Sequence, residues 1–252
     1  MTIICIESST SVCSAAVCKD GVPSKQCICR EGSNHARLLP RYIDELLAFV
    51  REQGWSIDAV ALSEGPGSYT GLRIGAATAK GLCYGLNVPL IPVPTLEILC
   101  QAAKERIRGL EDERILIPMI DARRMEVYTT IMVNGERMNG ERARAVVVEN
   151  EDSLMSERLT NERDVYYFGD GAAKCQNVLT KPNWHYIADI VPEAKYVGEI
   201  VESRETRVES GESRDESGET RVERLTGNEL AYYEPYYLKE FVAAPSHVKG
   251  LN

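Results

Sequence analysis

Apolar positions fall along this chain in two matching series. Ile3-Ile4-Cys5-Ile6 is a short apolar run that ends on Glu7, and Ile115-Leu116-Ile117-Pro118-Met119-Ile120 is another that ends on Asp121. Each reads as a buried strand closed by a carboxylate. The interval from Glu7 to the Asp20-Gly21 pair equals the interval from Asp121 to the Asn134-Gly135 pair. Alternating stretches, Val12 to Lys19 and Met125 to Val133, lead up to those pairs. Asp-Gly and Asn-Gly tolerate positive φ, so both predict hairpins. A repeat this long does not suit a short-unit solenoid and points to two duplicated lobes.

The pattern beyond each hairpin repeats as well. In the first half it predicts a strand over Ser24–Arg30, a helix over Asn34–Gln53 and a strand over Ala59–Glu64. A helix over Thr70–Leu86, a strand over Pro89–Val93 and a helix over Thr95–Arg108 follow. In the second half it predicts a strand over Arg142–Val148, a short helix over Glu151–Leu159 and a strand over Val165–Gly169. A helix over Ala172–Leu179, a strand over Trp184–Ile190 and a helix over Pro192–Val201 complete it. Each half thus runs strand, strand, strand, helix, strand, helix, strand, helix. That order implies an α/β protein in which each lobe is a mixed sheet with flanking helices. The lobes are set at residues 1–108 and 109–230, with a C-terminal tail over 231–252.

Composition narrows the function. An apolar share of 44% and a charged share of 27% are ordinary for a globular chain, and 252 residues suffice for two modest cores. The net charge of −9, without a basic cluster, argues against a chain that holds a phosphate backbone alone. No apolar run approaches the roughly 20 residues that span a bilayer. The early Glu7 and the lack of a basic leader predict a cytoplasmic protein without a secretory signal. The eight cysteines form no C-x-x-C pair and read as small buried hydrophobes. His35, His185 and His247 are too dispersed for a metal pair on one helical face. From Ser203 to Arg224 the chain is charged and nearly devoid of apolar residues, a solvated helix extension or a loop inserted in the second lobe.

The strongest local signature runs from Glu64 to Gly75, EGPGSYTGLRIG. A strand ends, a Gly-Pro-Gly turn follows, and Ser68 or Thr70 is placed to cap a helix whose first N–H groups suit an anion. The Lys-Ser/Thr of a P-loop is missing. Arg73 opposes the helix dipole in the first turn, which calls for an anionic partner such as Glu64, Glu7 or a group on another molecule. Gly71, Gly75, Ala79 and Cys83 form a stripe of small residues. Two helix glycines at about 1 kcal/mol each need a packing reason, either an internal helix or an external one. The preceding helix offers Leu39, Ile43, Leu46 and Leu47.

Duplicated lobes of this order resemble the actin, Hsp70 and sugar-kinase superfamily, whose ATP lies between the halves. The phosphate loops of that superfamily carry glycine after the strand carboxylates. Here Glu7 is followed by Ser8-Ser9-Thr10 and Asp121 by Ala122-Arg123-Arg124, so a competent nucleotide site is not expected, and Glu7 and Asp121 read as structural.

The segments IESSTSVCSAAV, NHARLLPRYIDELL, SEGPGSYTGLRIGAATAKGL, IDARRMEVY, FGDGA and EPYYLKEF, in this order over almost the whole chain, resemble the bacterial TsaB (YeaZ) family. The resemblance implies an actin-like two-lobed fold and a non-catalytic companion of a TsaD-like transferase in making threonylcarbamoyladenosine beside the tRNA anticodon. It implies ATP and metal on that partner and no cofactor on this chain alone. A TsaE-like ATPase would join the pair, tRNA would be reached only through the complex, and the isolated chain would be able to form a homodimer. The partner would meet the two helices of the first lobe through His35, Leu39, Ile43, Leu46, Leu47, Gly71, Leu72, Arg73, Gly75, Ala79 and Cys83. A bulky residue at Gly75 would then disturb docking and leave the fold intact. The alternatives are a glycoprotease-like metallopeptidase, disfavoured by the missing histidine pair, and a small-molecule kinase, disfavoured by the missing loop glycines.

Overall fold

Asp20 and Gly21 adopt φ values of 49° and 73°, the left-handed pair that a two-residue hairpin needs. They join β2 (Cys13–Lys19) to β3 (Val22–Cys29), and β1 (Thr2–Glu7) pairs antiparallel with β2. The structure, a computed structural model, describes residues 1–32, 34–107, 114–133, 136–140, 142–155, 163–209 and 222–239. The second predicted turn, Asn134-Gly135, lies outside them.

The first half continues with α1 (His35–Glu52), β4 (Ala59–Gly65), α2 (Tyr69–Leu86), β5 (Leu90–Pro94) and α3 (Thr95–Arg106). Its sheet has the order β3-β2-β1-β4-β5, with β4 parallel to β1 and to β5. The second half contains β6 (Ile115–Asp121), β7 (Glu126–Thr129), β8 (Met132–Val133), β9 (Glu136–Arg137), β10 (Arg144–Val147), β11 (Val165–Phe168) and β12 (Trp184–Ile187). Its main path, β10-β7-β6-β11-β12, repeats the first sheet strand for strand, antiparallel on one side of the central strand and parallel on the other. The duplication read from the carboxylate-ended strands is therefore a duplication of topology. This is the duplicated two-lobed α/β fold of the actin type. Among the described residues no helix is long and apolar enough to cross a membrane.

Some elements differ from expectation. The stretch Met125–Val133 is broken at Thr130-Ile131 into β7 and β8, both antiparallel to β6. The break faces Pro118, which has no N–H for the ladder, and the Thr129 hydroxyl donates to the Pro118 carbonyl at 2.8 Å. Residues 172–179 form a 3₁₀ turn at Ala173–Cys175 rather than a helix. Two turns do not offset helix nucleation, and the Cys175 and Val178 amides bond three residues back. Glu151–Ser153 is likewise a short 3₁₀ turn, and residues 156–159 of the helix predicted there lie outside the described part.

The largest revision concerns α4 (Ala194–Glu209), which the sequence-drawn boundary assigns to the second lobe. It lies on the first sheet. Strand alternation puts Ile4 and Ile6 on the face covered by α1 and α2, and Ile3 and Cys5 on the face where α3 and α4 pack with Leu96, Val197 and Val201. Ser14 Oγ accepts from the Ala194 amide at 2.9 Å, and the Gln26 side-chain oxygen accepts from the Lys195 amide at 2.9 Å. Gly198 crosses so closely that a methyl group there would stand 2.3 Å from Cys18 Sγ. Glu97 of α3 accepts from Arg137 Nε at 3.1 Å and from Arg204 Nη2 at 2.5 Å, which ties the second sheet, α3 and α4 together. The charged run therefore begins as a helix extension; residues 210–221 lie outside the described part.

The tail returns to the first lobe. Leu225 exchanges backbone hydrogen bonds with Leu90, α5 (Gly227–Tyr232) follows, and the Tyr236 amide donates to the Glu64 carbonyl at 2.7 Å. The last thirteen positions of the predicted tail, 240–252, are outside the described residues.

The packing reason for the helix glycines is internal. A Cβ on Gly67 would lie 2.3 Å from the Ser9 carbonyl oxygen, one on Gly71 2.1 Å from the Ser8 carbonyl oxygen, and one on Gly75 2.3 Å from Ser8 Oγ. The stripe lets the loop after β1 press onto α2. Gly81 and Gly85, by contrast, have nothing within 4 Å of an added Cβ. Gly71→Ala and Gly75→Leu are expected to lower unfolding free energy by about 1–3 kcal/mol or more. Gly81→Ala is expected to raise it by about 0.5–1 kcal/mol through helix propensity alone. Urea denaturation of the three variants beside the parent chain checks both signs.

Candidate functional site

Two regions carry the residues singled out by sequence: the outer face of α1 and α2, and the junction where β1 and β6 end. On α1, His35, Leu39, Ile43, Leu46 and Val50 point inward. His35 Nε2 donates to the Val12 carbonyl at 3.2 Å, a satisfied core histidine. On α2, Gly71, Leu72, Gly75, Ala76, Ala79 and Cys83 are buried. Most of the expected partner-contact set therefore faces this chain's own sheet. His35, Leu39, Ile43, Leu46, Gly71, Leu72, Gly75, Ala79 and Cys83 are corrected to core positions. Sequence selects them because an inward stripe and a docking stripe share the same 3.6-residue period. Leu47, half-buried, and Arg73, exposed, remain at the surface.

The exposed row of α2 is offset by two residues and lies on the opposite side of the helix: Arg73, Ala77, Gly81, Tyr84 and Gly85. Tyr84 is 88% exposed, and Leu86 closes the row at 37%. Ile74 and Leu82 of α2 are half-buried beside it, and Leu38, Tyr42 and Leu47 of α1 are half-buried against the same core cluster. Lys80 fastens α5 beside this row by donating to the Ala231 carbonyl at 2.7 Å and the Tyr233 carbonyl at 3.1 Å.

The N-terminus of α2 does not present the open anion cradle that its sequence predicts. Ser68 Oγ accepts from the Gly71 amide at 3.4 Å, and the Ser68 amide itself donates to the Ser9 carbonyl at 2.6 Å. Arg73 pairs with neither Glu64 nor Glu7. It donates to the Tyr69 hydroxyl at 2.9 Å and lies 5.5 Å from that ring's centroid, while Tyr69 stacks on Tyr237 at 5.0 Å. Glu64 instead forms an ion pair with Arg142, whose guanidinium also lies 4.8 Å from the Tyr236 ring. The Arg142 contact and the aromatic strap have no local sequence signal beyond the paired tyrosines of EPYYLK, because both join segments far apart in the chain.

At the lobe junction the two strand carboxylates have diverged. Glu7 is fully buried, and its Oε1 accepts from the Ser9 amide at 2.6 Å and the Ser9 hydroxyl at 2.5 Å. Its Oε2 lies outside the hydrogen-bond geometry of any described group. Asp121 is about half exposed and paired with Lys174, which also donates to the Glu126 carbonyl at 2.6 Å. Asp170, in the FGDGA turn, accepts from the Asp121 amide at 2.9 Å. Gly169 and Gly171 fit this turn against β6, since a Cβ on either would lie within 3 Å of Met119 or Ile120 backbone. Arg123 and Arg124 hold φ values of 72° and 49° in the β6–β7 turn, where bulky side chains replace a glycine hairpin. No group of three histidine, cysteine or carboxylate side chains able to hold a metal occurs among the described residues.

Burial pushes the Glu7 carboxyl up to about 7 against the pull of the Ser9 and Ser63 donors, and the Asp170 charge adds to the rise. Because the folded value exceeds the unfolded one, the native state holds the extra proton between them. Stability from this group is thus complete at acid pH and is lost as pH rises through about 7. Glu7→Gln keeps the acceptor for Ser9 and removes the titration. Relative to this variant, the parent chain is expected to lose about 2 kcal/mol between about pH 5.5 and about pH 8. Paired urea melts at the two pH values measure it, and parallel curves would remove Glu7 as the titrating group.

The family model described as TsaD: tRNA N6-adenosine threonylcarbamoyltransferase matches residues 30–216. A Haemophilus influenzae protein named tRNA threonylcarbamoyladenosine biosynthesis protein TsaB is 36% identical over 133 residues, covering 53% of this chain and 54% of its own length. Its Escherichia coli namesake is 34% identical over 128 residues, covering 51% of this chain and 53% of that protein. The chain spans about half the length of the curated relatives it matches. Among solved structures, YeaZ from Pseudomonas aeruginosa superposes with a TM-score of 0.67 at 25% identity, covering 94% of this chain and 99% of that one. The family model's match over most of the chain, together with these likenesses, places the chain in the TsaD-related family, on its TsaB (YeaZ) branch.

Proposed function

We propose that this chain is a non-catalytic companion subunit in the formation of threonylcarbamoyladenosine on tRNA, and that it docks a TsaD-like transferase on the outward face of α1 and α2. The observation that carries the reading is the exposed row Arg73, Ala77, Gly81, Tyr84 and Gly85. Small residues at helical spacing let a second helix approach closely, and a tyrosine exposed to 88% supplies an amphipathic anchor of the kind that concentrates binding energy. The row stands on a rigid base, because the opposite side of α2 is seated on the sheet through Gly71, Leu72, Gly75 and Ala79.

The names carried by the relatives support this pathway, and the junction supports a companion rather than a catalyst. Its best-placed carboxylate, Glu7, is sealed from solvent and bonded to Ser9. The companion would act by binding the active conformation of the transferase more tightly than the inactive one, which shifts its population. ATP and metal would reside on the transferase, a TsaE-like ATPase would join the pair, and tRNA would be reached through the assembled complex. The net charge of −9 accords with that indirect contact. In isolation the same helical face suits a second copy of this chain.

The decisive variant is Gly81→Leu, not a substitution at Gly75. With open space around Gly81, leucine is expected to leave the melting temperature equal to or above the parent's, and to weaken binding of the transferase about tenfold or more by overpacking the helix contact. Size-exclusion light scattering of the chain with the transferase from the same organism measures it. Unchanged complex formation by Gly81→Leu and by Tyr84→Ala would remove the docking face from α2.

A further inference from the structure

β3 is an edge strand of the first sheet, and its last residue, Cys29, stands directly across from Cys13 on β2. Directly opposed residues on antiparallel strands hold their Cα atoms about 4.5–5.5 Å apart and project side chains to the same face. That separation falls within the about 4.4–6.8 Å that a disulfide spans. Cys13 belongs to the core beneath α1. Cys29 is half-buried at the rim of the same layer, its Sγ 3.1 Å from the Glu31 carbonyl oxygen. The neighbouring thiols are not so placed. Cys27 opposes Ala15, while Cys5 and Cys18, a diagonal pair whose thiols touch each other, are fully buried between the sheet and α4, out of reach of an oxidant in solution.

We propose that Cys13 and Cys29 form a redox-reactive dithiol, a covalent-modification site that closes to a disulfide with a low-molecular-weight disulfide such as oxidised glutathione and reopens with a thiol reductant. The Cys29 thiolate, the one solvent reaches, attacks a sulfur of the oxidant. The oxidant's S–S bond breaks, a mixed disulfide forms on Cys29 and one glutathione thiolate leaves. Cys13 then gives up its proton to solvent, and its thiolate attacks the Cys29 sulfur and expels the second glutathione thiolate. Both leaving groups take up protons, so two protein thiols are oxidised to one disulfide while one glutathione disulfide is reduced to two thiols. Burial pushes the Cys13 thiol up to about 12, which makes the second step the slower one and gives it a rate that climbs with pH. The site lies on β2 and β3 beneath α1, and it does not depend on the docking reading of α2.

The test uses the whole folded chain, freed of reductant, exposed to oxidised glutathione at about pH 8, alkylated, digested and examined by mass spectrometry. The expected result is a Cys13–Cys29 linked peptide pair with loss of two hydrogens, reversed by dithiothreitol. Cys29→Ser, with its melting temperature taken as the check on folding, should give no link, and Cys27→Ser should retain it. A lasting glutathione adduct on Cys29 without closure, a link through Cys27, or thiols that stay fully alkylatable in the folded chain would each overturn the proposal.

Discussion

The rest of the first lobe depends on how closely the loop after β1 is pressed onto the start of α2. Ser8 and Ser9 place backbone oxygens where side chains at Gly67 and Gly71 would have to be, and Ser8 Oγ donates to the Gly71 carbonyl at 3.0 Å. Both glycines are thus required by contact distance, and the roughly 1 kcal/mol that Gly71 costs the helix is offset by the packing it permits. This approach buries Glu7, caps α2 through Ser68 and fixes the rotation of the helix about its axis. Rotation is what decides which residues reach solvent. With Gly75 and Ala79 held against the sheet, Ala77, Gly81 and Tyr84 face outward.

The two lobes show how one topology diverges at equivalent positions. Both central strands end in a carboxylate, but Glu7 is enclosed by serine donors while Asp121 stays at the surface with Lys174. In a duplicated fold of this kind the strand ends face one another, and here Asp170 from the second lobe adds its charge to the environment of Glu7. Burial, with a smaller addition from the Asp170 charge, holds Glu7 against ionisation until near-neutral pH, while Lys174 stands beside Asp121. Burial thus tunes the seam between the lobes.

That seam is closed by elements that belong to the second half in sequence and to the first lobe in space. α4 lays Val197 and Val201 on the first sheet, Gly198 passes against Cys18, and Glu97 gathers Arg137 of β9 and Arg204 of α4. Glu97 illustrates the balance. Burial alone would raise its carboxyl, but the charges of Arg204 and Arg137 outweigh it and hold the carboxyl below the usual range. The strap from Tyr233 to Lys239 completes the closure, resting on Glu64 and Tyr69 in the first lobe and reaching Glu126 in the second.

The order of strands and helices was legible in the sequence, because it rests on periodicity and turn chemistry that act within a few residues. The carboxylate-ended runs, the Asp20-Gly21 hairpin and the alternation of Ile3 to Ile6 each carry their structural meaning locally. The family was legible for the same reason, since its segments are contiguous. The side of α2 that faces outward was not. Gly71-Gly75-Ala79-Cys83 and Ala77-Gly81-Gly85 are both small-residue rows at helical spacing, and only contact with Ser8 and Leu62 shows which one is inside. The partner of Arg73, the placement of α4 and the course of the tail were likewise decided by tertiary structure. Each is a choice among residues far apart in the chain, which competing charges and close packing make only once both sheets have formed.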